Sequence, residues 1–83
     1  MAKLDDVERR RMRNKSVRSQ VKSVVTRAQT AIEAKEIDAG REAVSSAAAA
    51  LDRAAKKGVI HPNQAARRKS RLAKRLNKVI EQS

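Results

Sequence analysis

The sequence contains no cysteine and no phenylalanine, tyrosine or tryptophan. Without thiols there can be no disulfide framework, cysteine-ligated zinc finger or thiol nucleophile. With no aromatic ring except that of His61, there is no platform for stacking unpaired bases, the usual device of single-strand binders. Acids are scarce: 9 Asp plus Glu stand against 21 Lys plus Arg in 83 residues, a formal charge of +12. Glycine occurs twice and proline once, so a Gly-rich phosphate loop is missing and helices have few places where they must stop. No apolar run approaches the roughly 20 residues of a membrane span. The first residues carry Asp5, Asp6 and Glu8 rather than an apolar signal core, and a cytoplasmic location is expected. Large apolar side chains are few as well. Of the hydrophobic residues 15 are Ala, leaving 8 Val, 4 Ile, 4 Leu and 2 Met. Low aliphatic content with high net charge borders on the composition of disordered chains. The expectation is one small domain, marginal alone, that leans on a polyanion.

The charge is unevenly spread. Residues 1–27 carry 9 basic and 3 acidic groups, residues 28–55 carry 3 and 5, and residues 56–83 carry 9 and 1. No acid occurs between Arg9 and Ile32 or between Arg53 and Ile80. A solvated helix ordinarily mixes both signs for i, i+4 pairing. Two basic ends around a mildly acidic middle predict two segments facing a polyanion while the third serves as scaffold.

Periodicity predicts an all-α, three-helix bundle with a long, projecting N-terminal helix, its helices at about 5–35, 38–57 and 62–81. Asp5 with Glu8 three residues on reads as a capping box. Val17, Val21, Val24, Val25, Ala28, Ala31 and Ile32 form a helical stripe. Upstream the stripe fades to Val7 and Met12, so the first turns are expected to project and to fray without a partner. Asp38 is a candidate N-cap for the second helix, whose inner stripe is Val44, Ala47, Ala48, Leu51, Ala54 and Ala55. Lys56-Lys57-Gly58 closes it, with cations in the last turn and Gly just beyond. Pro62 suits the first position of the third helix, and Ala65, Leu72, Leu76, Val79 and Ile80 turn inward.

At 100° per residue, Arg11, Lys15, Arg18 and Lys22 fall on one line of the first helix. Arg67, Arg71, Lys74 and Lys78 repeat that spacing on the third, flanked by Arg68 and Arg75. Such runs are usually solvated faces. Two acid-free spans in one short chain favour phosphate contact. Ser16, Ser19, Ser23, Thr26 and Thr30 form a hydroxyl ridge that either donates to phosphate and ribose oxygens or is plain surface. Rigid Arg/Lys helices without aromatics suit double-helical RNA, read by shape and by its 2′-hydroxyls; duplex DNA fits on charge alone. His61, the lone histidine, lacks companions for a metal site and either helps a turn or touches the polyanion. Asn63 either caps the third helix or contacts RNA, and Asp52 reads as a surface ion-pair partner. No nucleophile–base constellation is visible, so catalysis, cofactors and small-molecule substrates are not expected.

The run from Lys57 to Leu72 (Lys57-Gly58-Val59-Ile60-His61-Pro62-Asn63-Gln64-Ala65-Ala66-Arg67-Arg68-Lys69-Ser70-Arg71-Leu72) closely resembles the hallmark of the bacterial small-subunit ribosomal protein twenty family. Arg11-Met12-Arg13-Asn14-Lys15-Ser16-Val17-Arg18-Ser19 is similar to that family's basic first-helix motif. The resemblance covers roughly residues 9–80. It implies a structural three-helix protein, with no cofactor, that binds small-subunit ribosomal RNA directly during assembly. The RNA would be the 5′ domain and the long helix near the 3′ end, with few protein contacts and no membrane. The expected location is the cytoplasm, within the ribosome. By that match Arg11, Arg13, Asn14, Lys15, Ser16, Arg18 and Ser19 take the first-helix contacts. Lys57, His61, Asn63, Arg67, Arg68, Ser70 and Arg71 take those of the connector and third helix. Arg9, Arg10, Lys22, Lys74, Arg75 and Lys78 complete the candidate RNA-binding set on charge and position. Family members usually begin with a longer Lys/Arg/Ser-rich arm, whereas residues 1–8 here are acidic and are assigned no contact. Pro62 stands where lysine is common. The whole chain, 1–83, is thus read as one rRNA-binding helical domain. The alternatives are a DNA-compacting architectural protein and a helical adaptor for an acidic protein or an anionic membrane surface. The last would want Trp, Phe or Leu where the first helix offers Val and Ala.

Overall fold

The computed structural model describes the backbone of residues 2–82 and the side chains of residues 9–82. The described residues form three helices, α1 (Ala2–Glu33), α2 (Ile37–Lys56) and α3 (Pro62–Gln82), and no strand. At 1.5 Å per residue α1 is about 48 Å long, against roughly 30 Å for each of the others. Its N-terminal portion therefore overhangs the bundle, and the molecule as a whole measures 59 × 21 × 13 Å. Arg9 to Ser16 are all exposed, and Met12 is 71% exposed, where the apolar stripe fades. The helix begins upstream of the expected Asp5. The Asp5–Glu8 capping box rests on side chains outside the described residues.

The core is small and rich in alanine. One cluster joins Val21 of α1, Ala50, Leu51 and Ala54 of α2, Val59 of the connector and Ala65 of α3. A second joins Ala28 and Ile32, Ala47, and Leu72 and Leu76. Alanine lets the α2 backbone approach both neighbours, so α2 packs along α1 and along α3, while α1 and α3 touch each other little. Gly40 extends this logic: a Cβ there would lie 3.0 Å from Leu76 Cδ1. Gly40 and Ala50 are buried members that the expected stripe omitted, while Val44, Ala48 and Ala55 of that stripe are half-buried.

The turns differ in detail from the expectations. Instead of reaching residue 35, α1 ends at Glu33. Lys35 adopts φ +59°, donating to Ile32 O while Glu36 N donates to Ala31 O. This is a Schellman motif with lysine in the left-handed position normally given to glycine. The N-cap of α2 is Glu36, not Asp38, and its side chain makes no capping bond. Asp38 sits inside the first turn, where its charge still suits the positive end of the helix dipole. At the other end Gly58 has φ +77° and makes the same paired bonds, Gly58 N to Ala55 O and Val59 N to Ala54 O. The anticipated glycine closure is present there, and Val59 carries the chain straight into the core.

Candidate nucleic-acid interface

Because α1 and α3 touch each other little, a groove of about 600 Å³ opens between them. Lys22 enters it from α1, and Arg68, Arg71, Lys74 and Arg75 enter it from α3. Val25 and Leu72 form apolar wall, and Thr26 and Gln29 add neutral polar groups. No acid lines it. Cations of like sign on two facing helices repel, so the cleft is best relieved by an anion between them.

Lys22 also closes a shallow hollow along α1 that contains Arg11, Asn14, Lys15, Arg18 and Ser19. The expected cation line of α1 is therefore continuous, through Lys22, with the α1–α3 groove. A separate groove of about 460 Å³ lies beside the connector, lined by Arg10, Arg13, Asn14, Val17, Lys57 and Val59. On α3 the members facing α1 are Arg68, Arg71, Lys74 and Arg75. Arg67, Ser70 and Lys78 are exposed but do not line it. Arg9, Ser16, His61 and Asn63 are exposed outside the grooves too.

Two candidates have work inside the chain. Arg18 Nη2 donates to the Val59 carbonyl at 3.4 Å, tying α1 to the connector. His61 Nδ1 accepts the Asn63 N–H at 3.1 Å. The capping residue of α3 is thus His61, and Asn63 lies within the helix. Of the hydroxyl ridge, Thr30 Oγ1 donates to Thr26 O at 3.0 Å. Ser23, Thr26 and Thr30 face α2 across a third groove whose rim includes Arg27, Glu36 and Glu42. Gln29 was missed by sequence reasoning, although it shares a face with Lys22 at i+7, and Val25, a member of the expected apolar stripe, also lines the groove.

Among the described residues acids keep away from the basic grooves. Glu33, Glu36, Asp38 and Glu42 gather around the α1–α2 turn and Glu81 lies near the end of α3, so they stand at the opposite end of the bundle from the connector. Asp52 is the exception among the described residues, and it holds Lys69 at 2.8 Å, the surface pairing expected of it. Among the described residues no polar or charged side chain is buried, so the candidate cations are open to solvent in the free protein. Among the described residues no cluster of His, Asp and Glu could hold a metal ion, and no helix is long and apolar enough to cross a membrane.

Comparison with known proteins gives a consistent picture. The family model described as Ribosomal protein S20 matches residues 3–77. A small ribosomal subunit protein bS20 from Mycolicibacterium vanbaalenii is 53% identical over 72 residues, 87% of this chain and 84% of that protein. The bS20 proteins of Thermomicrobium roseum and Carboxydothermus hydrogenoformans are 46% and 43% identical, over 89% and 93% of this chain and 75% and 83% of theirs.

Proposed function

The chain belongs to the ribosomal protein S20 family, and from that premise we propose that it is a structural constituent of the small ribosomal subunit that binds small-subunit ribosomal RNA directly and supports subunit assembly. Its place of action is the ribosome. The relatives carry the small-subunit name, and the chain's own charge supports the RNA half of the reading. The observation that carries it is the acid-free α1–α3 groove, where Lys22 meets Arg68, Arg71, Lys74 and Arg75.

The mechanism is electrostatic and geometric. One RNA backbone segment runs along the α1 line and into the α1–α3 groove, where phosphates replace the repulsion between facing cations. A second segment lies against Arg10, Arg13, Asn14 and Lys57 beside the connector. Two such segments, held on one helical frame once RNA orders the first turns of α1, fix the distance between separate parts of the RNA. By family resemblance these are the 5′ domain and the long helix near the 3′ end. Binding releases counterions from the phosphates, and α2 serves as the spacer that sets the groove width. This role involves no catalysis, cofactor or small molecule. Crosslinking in cells with sequencing of the attached RNA tests the proposal. Small-subunit rRNA joined to residues of these two grooves is expected. Predominant recovery of DNA or of protein partners would refute it.

A further inference from the structure

The connector between α2 and α3 is fastened at three points. Gly58 closes α2, Arg18 holds the Val59 carbonyl, and His61 closes α3. The last fastening is complete. The Asn63 N–H is taken by the imidazole Nδ1 at 3.1 Å. The His61 carbonyl accepts Gln64 N at 3.0 Å and Ala65 N at 3.1 Å. Pro62 has no N–H to satisfy. The ring thus does what Ser, Thr, Asp or Asn does at most helix starts.

A neutral imidazole has one donor nitrogen and one acceptor nitrogen. With Nδ1 accepting, the proton resides on Nε2. The ring is exposed, and Nε2 has no partner among the described residues. Two residues earlier Val59 lines the connector groove with Arg10, Arg13 and Lys57. We propose that His61 is a positioning residue for RNA binding: its Nδ1 caps α3 and thereby fixes the tautomer whose outward Nε2–H donates to an RNA backbone oxygen beside the connector groove. The donor half rests on the RNA-binding reading above; the cap does not. Lysine or arginine would add charge here but has no acceptor for the Asn63 N–H. Serine would cap but would not reach outward. Imidazole joins an accepting inner edge to a donating outer one, coupling the start of the α3 cation row to contact with RNA.

Three readouts test this. Long-range proton–nitrogen NMR of the free wild-type protein should show the Nε2–H tautomer. His61→Ala should make the Asn63 amide exchange about fivefold faster, the usual effect of losing a cap, whereas His61→Ser should restore its protection. On a small-subunit rRNA fragment, His61→Ser should bind about tenfold more weakly than wild type, as expected for one lost hydrogen bond to a charged acceptor. An Nδ1–H tautomer, or unchanged Asn63 exchange in His61→Ala, would overturn the cap. Wild-type affinity in His61→Ser would overturn the donor role. Failure of the wild-type protein itself to bind the fragment would overturn the RNA reading and the donor role together, with the tautomer and exchange data still deciding the cap.

Discussion

Leu51→Ala is the sharpest test of how this fold holds itself together. Leu51 is 0% exposed and is the largest fully buried side chain. Its cluster draws Val21, Ala50, Ala54, Val59 and Ala65 from all three helices and the connector. Three of those five buried partners are alanines, which cannot swing into a vacated space, and the larger Val17, Val24, Val25 and Ile60 pack only at the cluster's partly buried margin, so much of the cavity should persist. Leucine-to-alanine changes in cores cost about 2–5 kcal/mol, and a poorly collapsing site argues for at least about 3. A chain of this length has roughly 4–12 kcal/mol of total stability at 0.05–0.15 kcal/mol per residue. A domain of this size shifts its melting temperature by about 4–8 °C per kcal/mol, so Leu51→Ala should melt about 12–24 °C below wild type. Far-UV circular dichroism during heating measures this, with Met12→Ala, at a 71% exposed position, as an unchanged control. Bound RNA should rescue much of the loss, because a partner at a hundred times its Kd adds about 2.7 kcal/mol. A Leu51→Ala shift no larger than that of Met12→Ala would refute the account of the core.

Further outcomes follow from single features. Gly58→Ala should cost about 1–2 kcal/mol through its left-handed backbone alone, since nothing lies within 4 Å of the added Cβ. Lys35→Gly should gain a comparable amount at its φ of +59°; denaturant titration reads both. Asp52→Ala should change stability by less than about 1 kcal/mol, as the Lys69 pair is exposed, and should raise RNA affinity by freeing a cation. Amides before Val17 should exchange quickly in the free protein and gain protection on RNA binding, measured by hydrogen exchange with and without the rRNA fragment.

The fold was legible because its signals are periodic. The α1 stripe from Val17 to Ile32, the Lys56-Lys57-Gly58 closure and Pro62 at the start of α3 each act within a few residues of chain. What was hidden depends on neighbours distant in sequence. Lys35 takes a left-handed conformation that nothing in its side chain favours; it accompanies the paired bonds to Ile32 O and Ala31 O that close α1. Asp38 has the residue type of a cap, yet the chain re-enters helix at Ile37, so Glu36 occupies the capping position. The burial of Gly40 reflects Leu76, 36 residues away. At the interface the cation rows could be drawn on each helix, but not that Lys22 is where they join, nor that Arg68 and Arg75, rather than Arg67 and Lys78, turn toward α1. Which sides of two helices face one another is decided by the α2 packing between them.

The central claim, that phosphates complete the groove between α1 and α3, is tested most directly by the affinity for a small-subunit rRNA fragment across a salt series. With about 6–10 phosphates neutralised, affinity should fall steeply with salt. Arg71→Ala should flatten the logarithmic slope by about one unit, while Arg41→Ala, exposed on α2 away from the groove, should leave it unchanged. A shallow wild-type slope, or equal effects from Arg71 and Arg41, would contradict the account.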